Sequence, residues 1–203
     1  MGRPRRSPGP DTRQRVLKAA RLLLATHGYS GVVLDDVALE AGVTRASLYH
    51  HFPGGRDELM LAVSLQVLDE GRDGFAQLLG QQSPIQERLE ALARWLFSRT
   101  DQAERLVREA TPHMLPEHAQ QVYQRFMAEM HAPIVTALGA GIQSGEVPPH
   151  DPVFGTWVFL SLVAGLPGGG GGHAGDRQVV DDLAARVVDW FLHGLIGQSP
   201  PST

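Results

Sequence analysis

No segment of useful length in this chain alternates apolar and polar residues with the period of two that a half-buried strand needs. Spacings of three and four recur instead, as in Val16, Leu17, Ala20, Leu23 and Leu24, or Val180, Leu183, Val187 and Phe191. A chain patterned in this way has no sheet to build, so its apolar stripes must bury against one another as packed helices. The expected fold class is therefore all-α. At 203 residues the chain is long enough for a real core, in one large domain or two small ones. Its 42% hydrophobic and 20% charged residues are those of an ordinary globular protein.

The punctuation of the helical pattern gives the organisation. Residues 1–10 hold three Pro, two Gly and three Arg and read as a flexible basic arm. Asp11 is expected to cap a first helix, with Gln14 three residues on, and Gly28 to end it in the C′ position. A short helix is expected over Leu34 to Ala41, closed by Gly42, and another over Arg45 to His51, capped by Thr44. Pro53-Gly54-Gly55 ends this unit. Further helices are expected from Arg56 to Leu79, after Ser83-Pro84 to Arg99, over Gln102 to Ala110, and from Pro116 to Ser144, with Pro133 kinking or splitting the last. Asp151-Pro152 opens a helix that is apolar nearly all round, Gly168 to Gly172 form an inter-helix connection, and a final helix runs from Asp176 to Gly194. This gives an arm over residues 1–10, a domain over 11–55, a second over 56–197 and a tail over 198–203.

Chemistry concentrates in Asp35 to Phe52. Ala38 and Ala41 are small enough for two helices to cross closely, Gly42 supplies the positive φ of the turn, and Val43 plugs the angle. Thr44 caps the second helix, whose free N–H groups and partial positive charge suit a phosphate. Leu48 and Phe52 point inward, which leaves Arg45, Ser47, Tyr49 and His50 polar and outward. This is a helix-turn-helix, and such motifs lay the second helix in the major groove. Net charge is −4, yet residues 1–60 carry nine Lys/Arg against six Asp/Glu, and the remainder nine Arg against sixteen acids. A basic end on an acidic body fits a DNA-binding module carried by a non-binding domain.

The stretch over residues 12–62 resembles the TetR family. The resemblance is carried by Gly28-Tyr29, by Glu40-Ala41-Gly42-Val43, by Thr44, by Leu48-Tyr49-His50-His51-Phe52, and by Arg56 ahead of the fourth helix. It implies that Thr44, Tyr49 and Arg56 bind phosphates, that Arg45, Ser47 and His50 face the major groove, and that Val37, Ala38, Leu48 and Phe52 are core. Two positions depart from the family pattern. Val33 stands where a Ser or Thr usually caps the second helix, and an extra glycine precedes Arg56, which itself replaces the usual Lys. Arg3, Arg5 and Arg6 read either as an arm for the minor groove or as a solvated tail.

The resemblance also implies an apolar ligand pocket between the central helices, for which Trp95, Met114, Phe126, Met127, Met130 and Trp157 are the candidates; plain core packing is the alternative for each. The last two helices are more apolar than one chain's core requires, which predicts a homodimer interface, with burial inside the monomer as the alternative; family members pair there as a four-helix bundle. His113 and His118 flank Pro116 and read as exposed loop histidines, with a metal or ligand contact as the alternative; the adjacent His50 and His51 cannot share a face. There is no cysteine, and no metalloprotease, nucleophile-elbow or P-loop motif, so no enzyme activity, cofactor or metal is expected. No apolar run reaches membrane-spanning length, and no apolar segment follows the basic N-terminus as in a signal peptide; a cytoplasmic protein is expected.

Taken together these readings give an N-terminal three-helix DNA-binding domain and a C-terminal helical domain for ligand binding and dimerisation. The expected function is a regulator, most simply a repressor, that binds a pseudo-palindromic operator in double-stranded DNA and is released by a small, mostly apolar effector. The alternative is a helical ligand-binding or scaffold protein with a vestigial DNA-binding module.

Overall fold

The computed structural model describes residues 10–98, 107, 110–166 and 177–195. Among them every regular element is helical. The order is α1 (Pro10–His27), a 3₁₀ turn (Tyr29–Gly31), α2 (Leu34–Glu40), α3 (Arg45–His51), α4 (Gly55–Leu79), α5 (Ile85–Ser98), a second 3₁₀ turn (Thr111–His113) and α6 (Pro116–Phe126). A π-helical segment (Met127–His131) leads into α7 (Ala132–Ser144), followed by α8 (Pro152–Gly165), α9 (Arg177–Asp189) and a second π-helical segment (Trp190–Leu195). The basic arm, most of the helix expected over Gln102 to Ala110, the Gly168–Gly172 connection and the C-terminal tail lie outside the described residues.

The chain divides into two compact units, residues 1–67 with 103–123, and residues 68–102 with 124–203. In the first, α1, α2 and α3 pack on one another. Val16, Ala20, Val37, Leu48 and Phe52 are buried there, the inward set that the spacing predicts. Gly28, at φ +68°, stops α1. The helix begins at Pro10, so Asp11 lies inside its first turn and not at the expected cap. Proline is tolerated there because the first N–H groups of a helix have no partner in the helix anyway.

In the second unit α5 packs on α9, α7 on α8, and Arg94 Nε is 2.7 Å from Asp181 Oδ1 across the α5–α9 contact. The start of α5 is tied down from a distance. Glu146 Oε2 accepts the Ile85 N–H at 2.7 Å, a cap from 61 positions along the chain where Ser83-Pro84 was expected to supply one. Glu146 is placed by the end of α7. Gly145 is left-handed (φ +79°), its N–H donates to Ile142 O, and the Glu146 N–H donates to Gly141 O, the paired bonds of a Schellman stop. Those hydrogen bonds, from Ile85 N–H first and from the Ser144 hydroxyl second, hold the Glu146 carboxyl below its ordinary pKa. Asp151 caps α8 as expected, accepting the Val153 N–H at 2.9 Å with Pro152 in the first turn.

Pro133 acts as its chemistry requires. It lacks an N–H, and its ring would press on the carbonyl four residues back. The helix answers by widening: the Ala132 N–H donates to Met127 O, five positions back, and α6 passes into α7 through a π turn.

Candidate nucleic-acid interface

The turn between α2 and α3 is built from four residues, Ala41 to Thr44. Gly42 adopts φ +62°, Gly42 N–H donates to Leu39 O, and Val43 N–H to Ala38 O, so the turn's own backbone is satisfied before α3 begins. Thr44 then caps α3, its hydroxyl accepting the Ser47 N–H at 3.1 Å. The corresponding cap of α2 is absent. Val33 has the extended backbone of an N-cap (φ −100°, ψ 132°) but no side-chain acceptor, and Asp35 and Asp36 in the first turn offset part of that loss by complementing the helix dipole.

With Leu48 and Phe52 buried, α3 turns Arg45, Tyr49 and His50 to solvent, with Ser47 half-buried beside the cap. Arg45, the first residue of α3, is held on two sides. Its NH1 donates to Asp35 Oδ2 at 3.0 Å, and its guanidinium lies 5.6 Å from the centre of the Tyr49 ring one turn along. Both neighbours, Tyr49 first and Asp35 second, raise its pKa further and keep it cationic. His50 and His51 meet edge to face at 5.3 Å, with His50 exposed and His51 half-buried, an arrangement that offers no shared chelating face.

Arg56 follows Gly55, whose φ of +68° starts α4 in a conformation that favours glycine; this is where the extra residue of Pro53-Gly54-Gly55 is absorbed. The Arg56 side chain is drawn inward. It donates to the Tyr29 carbonyl, and its guanidinium lies 4.1 Å over the Tyr29 ring. Tyr29 in turn stacks on His113 at 5.0 Å and donates its hydroxyl proton to the His113 carbonyl at 2.9 Å. Beside it Asp57 accepts the Leu115 N–H at 2.9 Å and pairs with the half-buried His118. His118 is thus no exposed loop histidine as expected, and His113, though exposed, is an aromatic shelf for Tyr29. Arg3, Arg5 and Arg6 lie outside the described residues.

Comparison with known proteins agrees with this geometry. Residues 16–63, from α1 into α4, match the family described as bacterial regulatory proteins, tetR family. Residues 16–63 belong to the TetR family. It is 31% identical over 99 residues to the HTH-type transcriptional regulator LmrA of Bacillus subtilis, a match covering 47% of this chain and 53% of that protein. The chain thus spans about half the length of that relative. Among solved structures, AibR in complex with isovaleryl coenzyme A and operator DNA superposes with a TM-score of 0.75, at 20% identity over 89% of this chain and 98% of that one. FadR of Bacillus subtilis in complex with stearoyl-CoA gives 0.74, at 15% identity over 90% and 98%. Those likenesses carry the fold.

The six ligand candidates do not all come together. Met114 is buried in the first compact unit; the other five lie in the second. There, Met130 is buried with its side chain against Gly71 of α4, and Trp95 lies against Gly74 of the same helix, edge-on to Phe75 at 5.9 Å. Phe126 faces Trp157 at 6.0 Å, Met127 is half-buried, and Trp157 covers a residue outside the candidate set, His131, at 4.6 Å. On α8 and in the π-helical segment that follows α9 large apolar side chains remain exposed, among them Phe154 at 68% and Trp190 at 57%. A groove of about 340 Å³ runs along α8, lined by Phe154, Trp157, Val158, Ser161 and Leu162.

The tethers of Arg45 and Arg56, the Asp57–His118 pair and His131 were not visible in the sequence. Only the first had a signal: opposite charges at the starts of two helices that a four-residue turn brings side by side.

Proposed function

We propose that this protein is a ligand-responsive transcriptional regulator of the TetR type, most simply a repressor, that acts by binding and not by turnover. The observation that carries the reading is the outer surface of α3. A capped helix of seven residues presents Arg45, Tyr49 and His50 to solvent, with nothing among the described residues burying them, next to a backbone N-terminus suited to phosphate. Thr44, Tyr49 and Arg56 bind phosphates, Arg45, Ser47 and His50 address base edges, and Arg3, Arg5 and Arg6 reach along the minor groove. Two copies pair through the apolar faces of α8 and α9, and their recognition helices enter successive major grooves about 34–36 Å apart on a pseudo-palindrome. The domain over residues 11–55 is the DNA-binding head, that over 56–197 the effector and dimerisation body, and the protein works in the cytoplasm beside its operator.

A small, mostly apolar effector bound among Trp95, Phe126, Met127, Met130 and Trp157 favours a conformer that does not match the operator and so releases it. By linkage, DNA weakens effector binding by the same factor. Names of relatives such as LmrA, and the ligands bound to AibR and FadR, support a regulator of this class. The uncapped α2 and the inward Arg56 favour a second reading, a helical ligand-binding protein with a vestigial DNA module.

Fluorescence anisotropy with the DNA flanking the protein's own gene separates the two. Tight, salt-sensitive binding lost in Arg45→Ala/Tyr49→Ala is the expected result, and binding no tighter than to random DNA, there and in a genome-wide selection, leaves the second reading. Sedimentation of Phe154→Asp tests the dimer: a monomer is expected.

A further inference from the structure

His131 is a buried polar side chain that neither the helix packing nor the DNA-binding face accounts for. It is only 3% exposed, and its Nε2 has no hydrogen-bond partner. It closes the π-helical segment Met127–His131, and π turns inside α-helices recur at functional sites. Burial pushes its pKa down, so at neutral pH the ring is uncharged and has one nitrogen free to accept, or in the other tautomer to donate, one hydrogen bond. An aromatic ring lies beside it. Trp157 lies against the imidazole, tilted, with ring centres 4.6 Å apart, Phe126 stands 6.0 Å from Trp157, and Trp157 is itself 38% exposed, so it forms a wall that solvent already reaches. On the other side Met130 docks the segment on α4 at Gly71. A buried nitrogen without a partner is costly to leave unpaired, and native proteins leave few such groups without a purpose.

We infer that Phe126, His131 and Trp157 form the polar end of the effector site, which takes an uncharged, mostly apolar small molecule bearing one hydroxyl or carbonyl that pairs with His131 Nε2. The inference rests on the ligand-responsive reading above and narrows it. A carboxylate or ammonium would be desolvated against a neutral imidazole beside an indole and is disfavoured. A hydroxyl or carbonyl regains inside the hydrogen bond it loses to water, and its apolar remainder gains the burial.

The test uses the full-length protein and two probes of nearly equal size, p-cresol and p-xylene, which differ by one hydroxyl in place of a methyl. Titration calorimetry is expected to find p-cresol the tighter by about tenfold, the size of one neutral hydrogen bond. His131→Phe is expected to bring that ratio near one while p-xylene still binds. Trp157→Ala is expected to weaken both probes together and leave the ratio intact, which guards against a His131 variant that fails to fold. Equal affinity of the two probes for the unsubstituted protein would overturn the inference, with water taking the place assigned to the ligand; saturable binding of neither would overturn the site. Failure of the regulator reading shows elsewhere, as absence of operator binding in the anisotropy experiment.

Discussion

Supplying the missing cap of α2 makes the protein more stable. Val33 and Thr44 hold the same position in two helices of seven residues each, and only Thr44 has a side-chain acceptor for its helix. Val33→Thr changes a methyl to a hydroxyl at constant shape, at a position 51% exposed whose backbone (φ −100°, ψ 132°) is already that of an N-cap. Little burial is lost, and the hydroxyl can accept from the N–H of Asp35 or Asp36. A polar cap in place of an aliphatic residue contributes about 1 kcal/mol. For a chain of this length that is a rise in Tm of about 2–4 °C. Thr44→Ala removes the equivalent bond from Ser47 N–H and is expected to lower Tm by a similar amount, with the double variant within about 0.5 kcal/mol of the starting protein. Thermal melts followed by circular dichroism at 222 nm give all four values. The added hydroxyl is neutral, so any phosphate bond it makes raises operator affinity without steepening the salt dependence. A melt of Val33→Thr at or below that of the original chain, with Thr44→Ala destabilised as expected, would refute the reasoning; it would mean that water and the two first-turn carboxylates already satisfy α2.

Other substitutions separate the jobs of the basic residues. Arg45→Ala is expected to lose about 1–3 kcal/mol of discrimination at one base pair, whereas Arg56→Ala weakens all sequences alike and lowers the salt slope by about 0.9; binding-site selection and salt titrations check both. Gly42→Ala, at φ +62°, is expected to cost about 1 kcal/mol in urea unfolding although a Cβ there meets nothing. Acid weakens the fold in two steps. The lowered pKa of His131 gives a contribution fully present above its ordinary value of 6.5 and lost as pH falls from there toward the folded-state value, because the unfolded chain takes up the proton first. The lowered carboxyl of Glu146 contributes fully above its ordinary 4.5, and that part is lost as pH falls through its folded-state value. Melts between pH 8 and pH 3 are expected to show the upper step vanish in His131→Phe and the lower one in Glu146→Gln.

Local chemistry was readable from the sequence wherever it acts within a few residues. Thr44, Gly28, Gly42 and Asp151-Pro152 placed helix ends to within a residue or two, the absence of a cap at Val33 was visible as the absence of an oxygen, and Pro133 marked where its helix had to change. The long-range pairs were not readable. Nothing in the neighbourhood of Ile85 announces that its N–H will meet Glu146, nor does Asp57 point to Leu115 and His118, 58 and 61 residues away. Such pairs follow from where packing happens to bring helix ends, and no periodicity encodes them. Arg56 illustrates the limit within the best-matched segment: its charge and place were legible, but its turn toward Tyr29 depends on a ring 27 positions earlier. Met114 illustrates it in the body, since equal spacing and hydrophobicity did not reveal that it packs in a different unit from the other candidates.

The wide turn at Met127–His131 also makes this place able to absorb a change of length. Every residue inserted in an α-helix rotates all that follow by about 100°, which would swing the buried Ile134 and Leu138 of α7 away from the core. A five-residue hydrogen-bonded loop holds the surplus residue locally, so the face of α7 stays where a chain one residue shorter would have it. A single-residue gap in alignments with shorter relatives therefore belongs here, in mid-helix, where alignment habit would move it to a loop. Deleting the exposed Ala128 together with Pro133→Ala should restore an unbroken α-helix through α6 and α7, whereas the same deletion one turn later should unfold the body.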